Sequence, residues 1–199
     1  MKPDFEKHNG LIPAIIQHYY THQVLMLGFM NEEAYQKTLD EKIVTFYSRS
    51  KKRLWTKGET SGNILKVKEI LTDCDNDTLL IKVETTGPTC HTGSTSCFKE
   101  ESDKGFLYLL QHIVEKKMGS NDINSYTAKL VQKGLNKIIQ KFGEEAIELA
   151  IEAKDDNPDL FKNEAADLLY HLIVLLRYKN ISLEDIEAVL SRRNQEKNN

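Results

Sequence analysis

The chain changes its period near residue 100, and no single domain type absorbs both halves. From Leu11 to Cys97 the apolar residues come in short runs rich in β-branched and aromatic side chains, broken by polar turns. Beyond Phe98 they recur every three to four positions. Strands alternate two faces and helices bury one stripe, so the two patterns need different packing partners. All three cysteines and the single tryptophan precede the change; one proline, Pro158, follows it. Between the halves lies FKEESDKG, charged and glycine-ended, which reads as a linker. A chain of 199 residues has room for two domains of about 100 residues. The expectation is an α+β, mainly β domain over 1–104 and an all-α helical bundle over 105–199.

Within the first half, LIPAIIQHYY, a turn at Thr21 to Gln23, and VLMLGFM read as a hairpin. Asn31 caps a short helix to Leu39, with Glu32 and Glu33 in its first turn where the dipole favours acid. IVTFYS is a strand, SRSKKRLWTKGETSGN a basic polar segment, and ILKVKEILTDC and TLLIKVE two further strands. In the second half, Phe106 to Lys117 is one helix, and Ser125 to about Lys154 reads as one long helix. Leu160 to about Tyr178 and a segment opening at Ser182 complete the set.

The totals exclude several classes. Net charge is −3 with 29% charged residues, which gives no field suited to nucleic acid. MKPDFEKHNG carries no signal peptide pattern, and the longest apolar run, Leu172 to Leu176, falls far short of a membrane span. An odd number of cysteines argues for thiols used as thiols in a reducing cytoplasm.

Two acidic motifs carry chemistry in the second half. Leu135, Ile138, Phe142, Ala146 and Leu149 form one stripe of the long helix, widened by Ile139 and Ala150. Glu145 falls at its edge and Glu148 about 60° further round. Taken alone, EExxE is more often solvated decoration. The segment AADLLYHLIVLL, however, is apolar nearly all round and reads as a buried helix, with Glu164, Asp167 and His171 on one arc. Buried carboxylates are costly unless paired or metal-bound. Four of them facing each other across two helices make a hard-cation site suited to Mg²⁺ and nucleotide phosphates. Against this stand pairing by Lys137 or Lys141, and a purely structural His171; imidazole is a poor Mg²⁺ ligand.

The pattern ExxE with ExxD resembles that of the all-α, MazG-like nucleotide pyrophosphatases. More narrowly, SYTAKLVQKGLNKIIQKFGEEAIELAIEAK with NEAADLLYHLIVLL resembles phosphoribosyl-ATP pyrophosphatase over Ser125 to Arg193. The resemblance implies Mg²⁺ on Glu145, Glu148, Glu164 and Asp167, with Glu144 nearby and Glu145 and Glu148 catalytic. It offers Lys129, Lys133, Lys137 and Lys141 to the phosphates.

The first half holds soft and hard ligands side by side. Cys74, Cys90 and Cys97 lack the CxxC knuckles of structural zinc sites, and three ligands plus a water is the catalytic arrangement. His91 completes a closed Cys₃His set only with difficulty, as the neighbour of Cys90. Inert thiols are the plain alternative. Asp73, Asp75 and Asp77 are not an EF-hand, because Thr78 stands at position 6 and a strand follows. On an extended segment they share one face suited to Mg²⁺, or are simply solvated. Arg49, Lys51, Lys52, Arg53 and Lys57 surround Trp55, a patch too short for nucleic acid but sufficient for one phosphorylated small molecule.

GLIPAIIQ, VLMLGFMNEEA, FYSRSKKRLWTKGETSGN, DCDNDTLL and GPTCHTGSTSCF together resemble phosphoribosyl-AMP cyclohydrolase over Gly10 to Phe98. This implies zinc on Cys74, Cys90 and Cys97 drawn from two subunits of a homodimer, and Mg²⁺ at Asp73, Asp75 and Asp77. It also implies substrate contacts from Arg49, Trp55 and Lys57, with His91 moving protons or supporting a ligand. The whole resembles a bacterial fusion for two consecutive steps of histidine biosynthesis. Two other readings stay open: a zinc-stabilised binding module on a nucleotide pyrophosphatase, and a nucleic-acid adaptor.

Overall fold

The first strand is a nearly continuous apolar run, IPAIIQH, and its residues alternate between buried and half-buried. The computed structural model of the protein describes residues 3–7, 9–99, 105–120, 122 and 124–197. Residues 100–104 of the expected linker lie outside that set. The chain divides into two units, Met1–Phe106 and Leu107–Asn199.

In the first unit, β1 (Ile12–His18) and β2 (Val24–Met30) form the expected antiparallel hairpin, with a bulge between Ile16 and Gln17. Ile12, Ala14, Ile16 and His18 all point inward from β1. After α1 (Glu32–Glu41) come β3 (Thr45–Ser48), β4 (Arg53–Thr56), β5 (Leu65–Thr72) and β6 (Leu79–Thr85). The main sheet runs β2-β1-β6-β5, with β1 and β6 parallel and the other pairs antiparallel. Strands β3 and β4 pair separately, Phe46 opposite Trp55 and Tyr47 opposite Leu54.

Strand β4 corrects the reading of 48–63 as loop. Leu54 and Trp55 supply a short strand once Lys52, at φ +49°, turns the chain back. The hairpin is seated by one glycine: a Cβ on Gly28 would lie 2.3 Å from the Phe46 ring, so only glycine lets that ring cover β2. Phe46 is 1% exposed, and burial of such a ring is worth about 1.5–3 kcal/mol. Helix α1 starts at the Asn31 cap, whose side chain accepts from the Ala34 amide. It is tied to β3 through Thr38, whose hydroxyl accepts from the Thr45 amide at 2.9 Å.

The second unit holds α2 (Phe106–Met118), α3 (Tyr126–Gln132), α4 (Leu135–Glu152), α5 (Pro158–Tyr178) and α6 (Leu183–Lys197). The long helix expected from Ser125 is therefore two. Gly134 at φ +80° breaks it, a conformation that an L residue rarely adopts. Helix α5 begins two residues early, because Asn157 caps it and Pro158 sits where proline suits a first turn. Ser182 and Asp185 close the α6 start reciprocally, each side chain accepting the other residue's amide.

The expectation of a helix buried all round fails for α5. His171, Ile173 and Val174 are buried with Val114, Leu130 and Ile138, but Leu160, Phe161 and Leu169 are exposed. The core lies toward one end of the helix pair, where α2 and α3 contribute, and at the far end Leu160 and Phe161 are exposed among the described residues of this unit. Ile139, Ile147 and Ile151 of α4 are exposed as well, Ile147 by 64%.

Candidate active sites

The aspartate cluster forms on a turn between β5 and β6, not on an extended segment as its spacing suggests. The Asp73 carboxylate accepts from the amides of Asp77 (3.0 Å) and Thr78 (3.1 Å), and Asn76 takes a left-handed conformation. Partial burial pushes the Asp73 carboxyl up, but these amides outweigh it and hold it below the usual range. The turn brings carboxylate oxygens of Asp73, Asp75 and Asp77 within 4.8 Å of one another. Lys7 leans onto the same group, its ammonium 3.4 Å from Asp75 Oδ2 and 3.9 Å from Asp77 Oδ2.

The thiols divide unevenly. Cys90 and Cys97 interact, whereas Cys74 does not converge with them: the three thiols form no common group of ligands among the described residues. The Thr92 hydroxyl donates to Cys90 Sγ at 3.1 Å, and hydrogen bonds from Thr92 and Ser94 lower that thiol to about 6. Cys90 is thus a thiolate near neutral pH, the form that binds metal. Burial, then the neighbouring Cys90, pushes Cys97 up. The loop itself is pinned to β2: the Cys97 amide donates to the Leu25 carbonyl at 2.7 Å, and buried Ser96 donates to the Val24 carbonyl at 2.8 Å. His91 is exposed, with Nδ1 3.9 Å from Cys90 Sγ.

A cavity of 430 Å³ adjoins this loop, lined by Trp55, Lys57, Gly58, Asn63, Cys90 and His91 among others. Lys57 is buried there. Arg49 belongs elsewhere: its guanidinium lies 3.8 Å from the centre of the Phe29 ring and lines a second cavity of 570 Å³ with Phe46, Ser48 and Ser50. Trp55 borders both. Arg53, part of the same basic stretch, is occupied by Glu59 at 2.7 Å. The patch is therefore split and partly neutralised, unlike a continuous polyanion track.

In the helical unit, carboxylates of Glu145, Glu148 and Glu164 come within 4.8 Å of one another across α4 and α5. Burial pushes the Glu164 carboxyl up, and repulsion from Glu148, Asp167 and Glu145 adds to it. That crowding is the signature of a site short of positive charge. Asp167 is exposed and stands outside the tight trio. Glu144 points to Gln140 and Lys141 instead. Of the four lysines offered to the phosphates, Lys141 alone pairs with these acids, at 2.8 Å from Glu145 and 2.9 Å from Glu144. Those carboxylates hold its ammonium far above the ordinary lysine range. Lys137 donates to Gln140, and Lys129 and Lys133 are exposed.

His171 is buried and held neutral by that burial, against the pull of Glu145. Its Nε2 lies 3.7 Å from Glu145 Oε1 and 3.5 Å from the Tyr126 hydroxyl. Tyr170 stacks edge-on to His171 and shares a 2.8 Å hydrogen bond with Thr127. Tyr126, Thr127 and Tyr170 were not among the residues singled out from sequence. For Tyr126 and Thr127 the signal is the Ser125 cap that starts α3, a helix separate from α4 because of Gly134; Tyr170 comes from α5 and carries no local signal.

Known proteins match both halves. A family model described as Phosphoribosyl-AMP cyclohydrolase covers residues 26–99, and one described as Phosphoribosyl-ATP pyrophosphohydrolase covers 107–194. The chain is 54% identical over 197 residues to the histidine biosynthesis bifunctional protein HisIE of Staphylococcus epidermidis, covering 98% of this chain and 92% of that protein. Identity to the protein of the same name from Bacteroides thetaiotaomicron is 51% over 195 residues, 97% and 96% of the two chains. For Staphylococcus aureus it is 51% over 198 residues, 100% and 93%.

Proposed function

The chain belongs to the bifunctional histidine-biosynthesis proteins that join a cyclohydrolase to a pyrophosphohydrolase, and we propose how its two sites divide that work. As a member of that family it is a hydrolase in both halves. The helical half cleaves phosphoribosyl-ATP to phosphoribosyl-AMP and pyrophosphate, and the first half opens the adenine ring at N1–C6. The domain boundary is placed between 104 and 105.

For pyrophosphate release, Glu145, Glu148 and Glu164 hold a divalent cation, Mg²⁺ by the hardness of the donors, with Asp167 behind them. Such a cation, when bound there, would supply charge neutralisation for the triphosphate. The convergence of these three carboxylates within 4.8 Å across two helices supports this most directly, and burial followed by mutual repulsion pushes the Glu164 carboxyl up, as a cation would relieve. Glu145 and Glu148 orient the water.

For ring opening, the thiolate character of Cys90 and its approach to Cys97 fit zinc. Cys90 and Cys97 would hold it, and zinc bound there would supply Lewis acidity to activate water near neutral pH. Cys74 does not converge with the other two in one chain, which supports a site completed by Cys74 of a second copy in a homodimer. Trp55 offers a flat face to the base, Lys57 a charge to phosphate, and Arg49 a second anchor on the far side of Trp55. His91, beside Cys90 and at the cavity, is placed to move the proton. Asp73, Asp75 and Asp77 are read as a second Mg²⁺ position, and the exposed apolar residues of α4 and α5 as a surface covered by a second helical unit. The protein acts in the cytoplasm on small nucleotides, with no role for nucleic acid or membrane; among the described residues no helix is long and apolar enough to cross one.

Single-site variants test the division. Glu164→Gln should lose pyrophosphate release by at least about 100-fold while still opening the ring of supplied phosphoribosyl-AMP. Cys97→Ser should do the reverse. Loss of both activities in either folded variant would refute the assignment.

A further inference from the structure

A carboxylate as deeply placed as Glu145 needs a positive partner before any metal ion arrives, and its own helix provides one. Glu145 is 5% exposed, and an unpaired charge at that depth is costly. Lys141, one turn earlier, places Nζ 2.8 Å from Glu145 Oε1 and 2.9 Å from Glu144 Oε2. The same Glu145 oxygen faces His171 Nε2 at 3.7 Å, and the buried ring of that histidine contacts Tyr126. Among the described residues neither Glu148 nor Glu164 has an ion-pair partner, although both lie in the cluster. The ammonium therefore sits at one edge of a three-carboxylate group and covers its most buried member.

We infer that Lys141 is a tethered stand-in for the divalent cation: it neutralises Glu145 in the metal-free protein and competes with the metal for that carboxylate. The inference rests on the reading of Glu145, Glu148 and Glu164 as the cation site. It makes Lys141 a positioning residue, not a phosphate ligand held in reserve. Glu144 takes part by giving the ammonium a second partner to lean on when Glu145 turns to the metal. A residue that merely braced the fold would weaken metal binding when removed. A competitor would strengthen it, because a positive charge a few ångströms from a divalent cation repels it.

The test is Mn²⁺ binding to the full-length, zinc-loaded protein, followed by electron paramagnetic resonance. Glu164→Gln identifies the helical class of Mn²⁺ site by abolishing it. Lys141→Met should then bind Mn²⁺ at that class on the order of tenfold more tightly. It should also melt at lower temperature without divalent metal and recover in saturating Mn²⁺. Lys141→Arg should keep the wild-type affinity. Unchanged or weaker Mn²⁺ binding in folded Lys141→Met overturns the inference. Should Lys141→Met fail to fold without metal, Glu144→Gln decides, since it commits the ammonium to Glu145 and should weaken Mn²⁺ binding several-fold; unchanged or tighter binding overturns the inference. If Glu164→Gln leaves every class of Mn²⁺ site intact, the cation-site reading falls, and Lys141 as its stand-in falls with it.

Discussion

The two acid clusters of this protein are alike in composition and opposite in construction. Asp73, Asp75 and Asp77 come from one turn, whose amides of Asp77 and Thr78 arrange them. Glu145, Glu148 and Glu164 come from two helices and meet only when α4 packs on α5. The turn cluster lies near the surface, where water screens repulsion and its lysine partner, Lys7, is itself well exposed. The helical cluster reaches into the protein, so burial and then repulsion raise Glu164, and a lysine accompanies Glu145. Burial, more than the number of carboxylates, separates a cluster that water can screen from one that needs a cationic partner. The thiols follow a third route, with Cys90 and Cys97 together and Cys74 apart.

Mixing experiments give the largest contrast. Cys74→Ser and Cys97→Ser should each be inactive in ring opening. Unfolding and refolding them together should restore about a quarter of wild-type activity, because half of the dimers are mixed and each has one intact site. Glu145→Gln mixed with Glu164→Gln should restore no pyrophosphate release, since those ligands belong to one chain. Recovery in the second pair, or none in the first, would break the contrast between shared and self-contained sites.

A smaller effect is expected at Lys7. Lys7→Gln should tighten Mn²⁺ binding at the aspartate turn by about two- to fivefold, as suits an exposed pair. An effect as large as that expected for Lys141→Met would show that burial does not distinguish the clusters.

The smallest is a pH effect in the first unit. His18 is buried, accepts from the Thr21 amide through Nδ1, and is lowered by burial against the pull of Glu84. Its folded value lies below its unfolded one, so its neutral burial contributes stability that is present above about 6.5 and lost as pH falls through the folded value. Denaturant melts should show the first unit weakening below pH 6.5, and His18→Gln should flatten that slope. An unchanged slope in the variant would assign the weakening to other groups.

What could be read from sequence follows the same local-versus-tertiary divide. The aspartate triplet and the β1–β2 hairpin are legible because neighbours in the chain are neighbours in space; the three cysteines are not, since Cys74 stands apart from Cys90 and Cys97. Strand β4 was hidden because Lys51, Lys52 and Arg53 mask the short apolar pair Leu54 and Trp55. The break at Gly134 was hidden because the apolar spacing continues through LVQKGLNKII; only the left-handed backbone there shows it. The contacts of Tyr126, Thr127 and Tyr170 depend on that break, so no period in the chain announces them. The exposed far end of α5 was misread for a related reason: apolar residues on all sides say that a helix will be covered, not by which chain.

The central claim is that one chain makes a product at its helical site and consumes it at its thiol site. Supplying phosphoribosyl-ATP to the purified protein and identifying the products, before and after selective zinc removal, tests it most directly. The intact protein should yield pyrophosphate and ring-opened product. The folded zinc-free protein should yield pyrophosphate with accumulated phosphoribosyl-AMP. Ring-opened product in the absence of zinc, or loss of pyrophosphate release along with it, would overturn this division of labour.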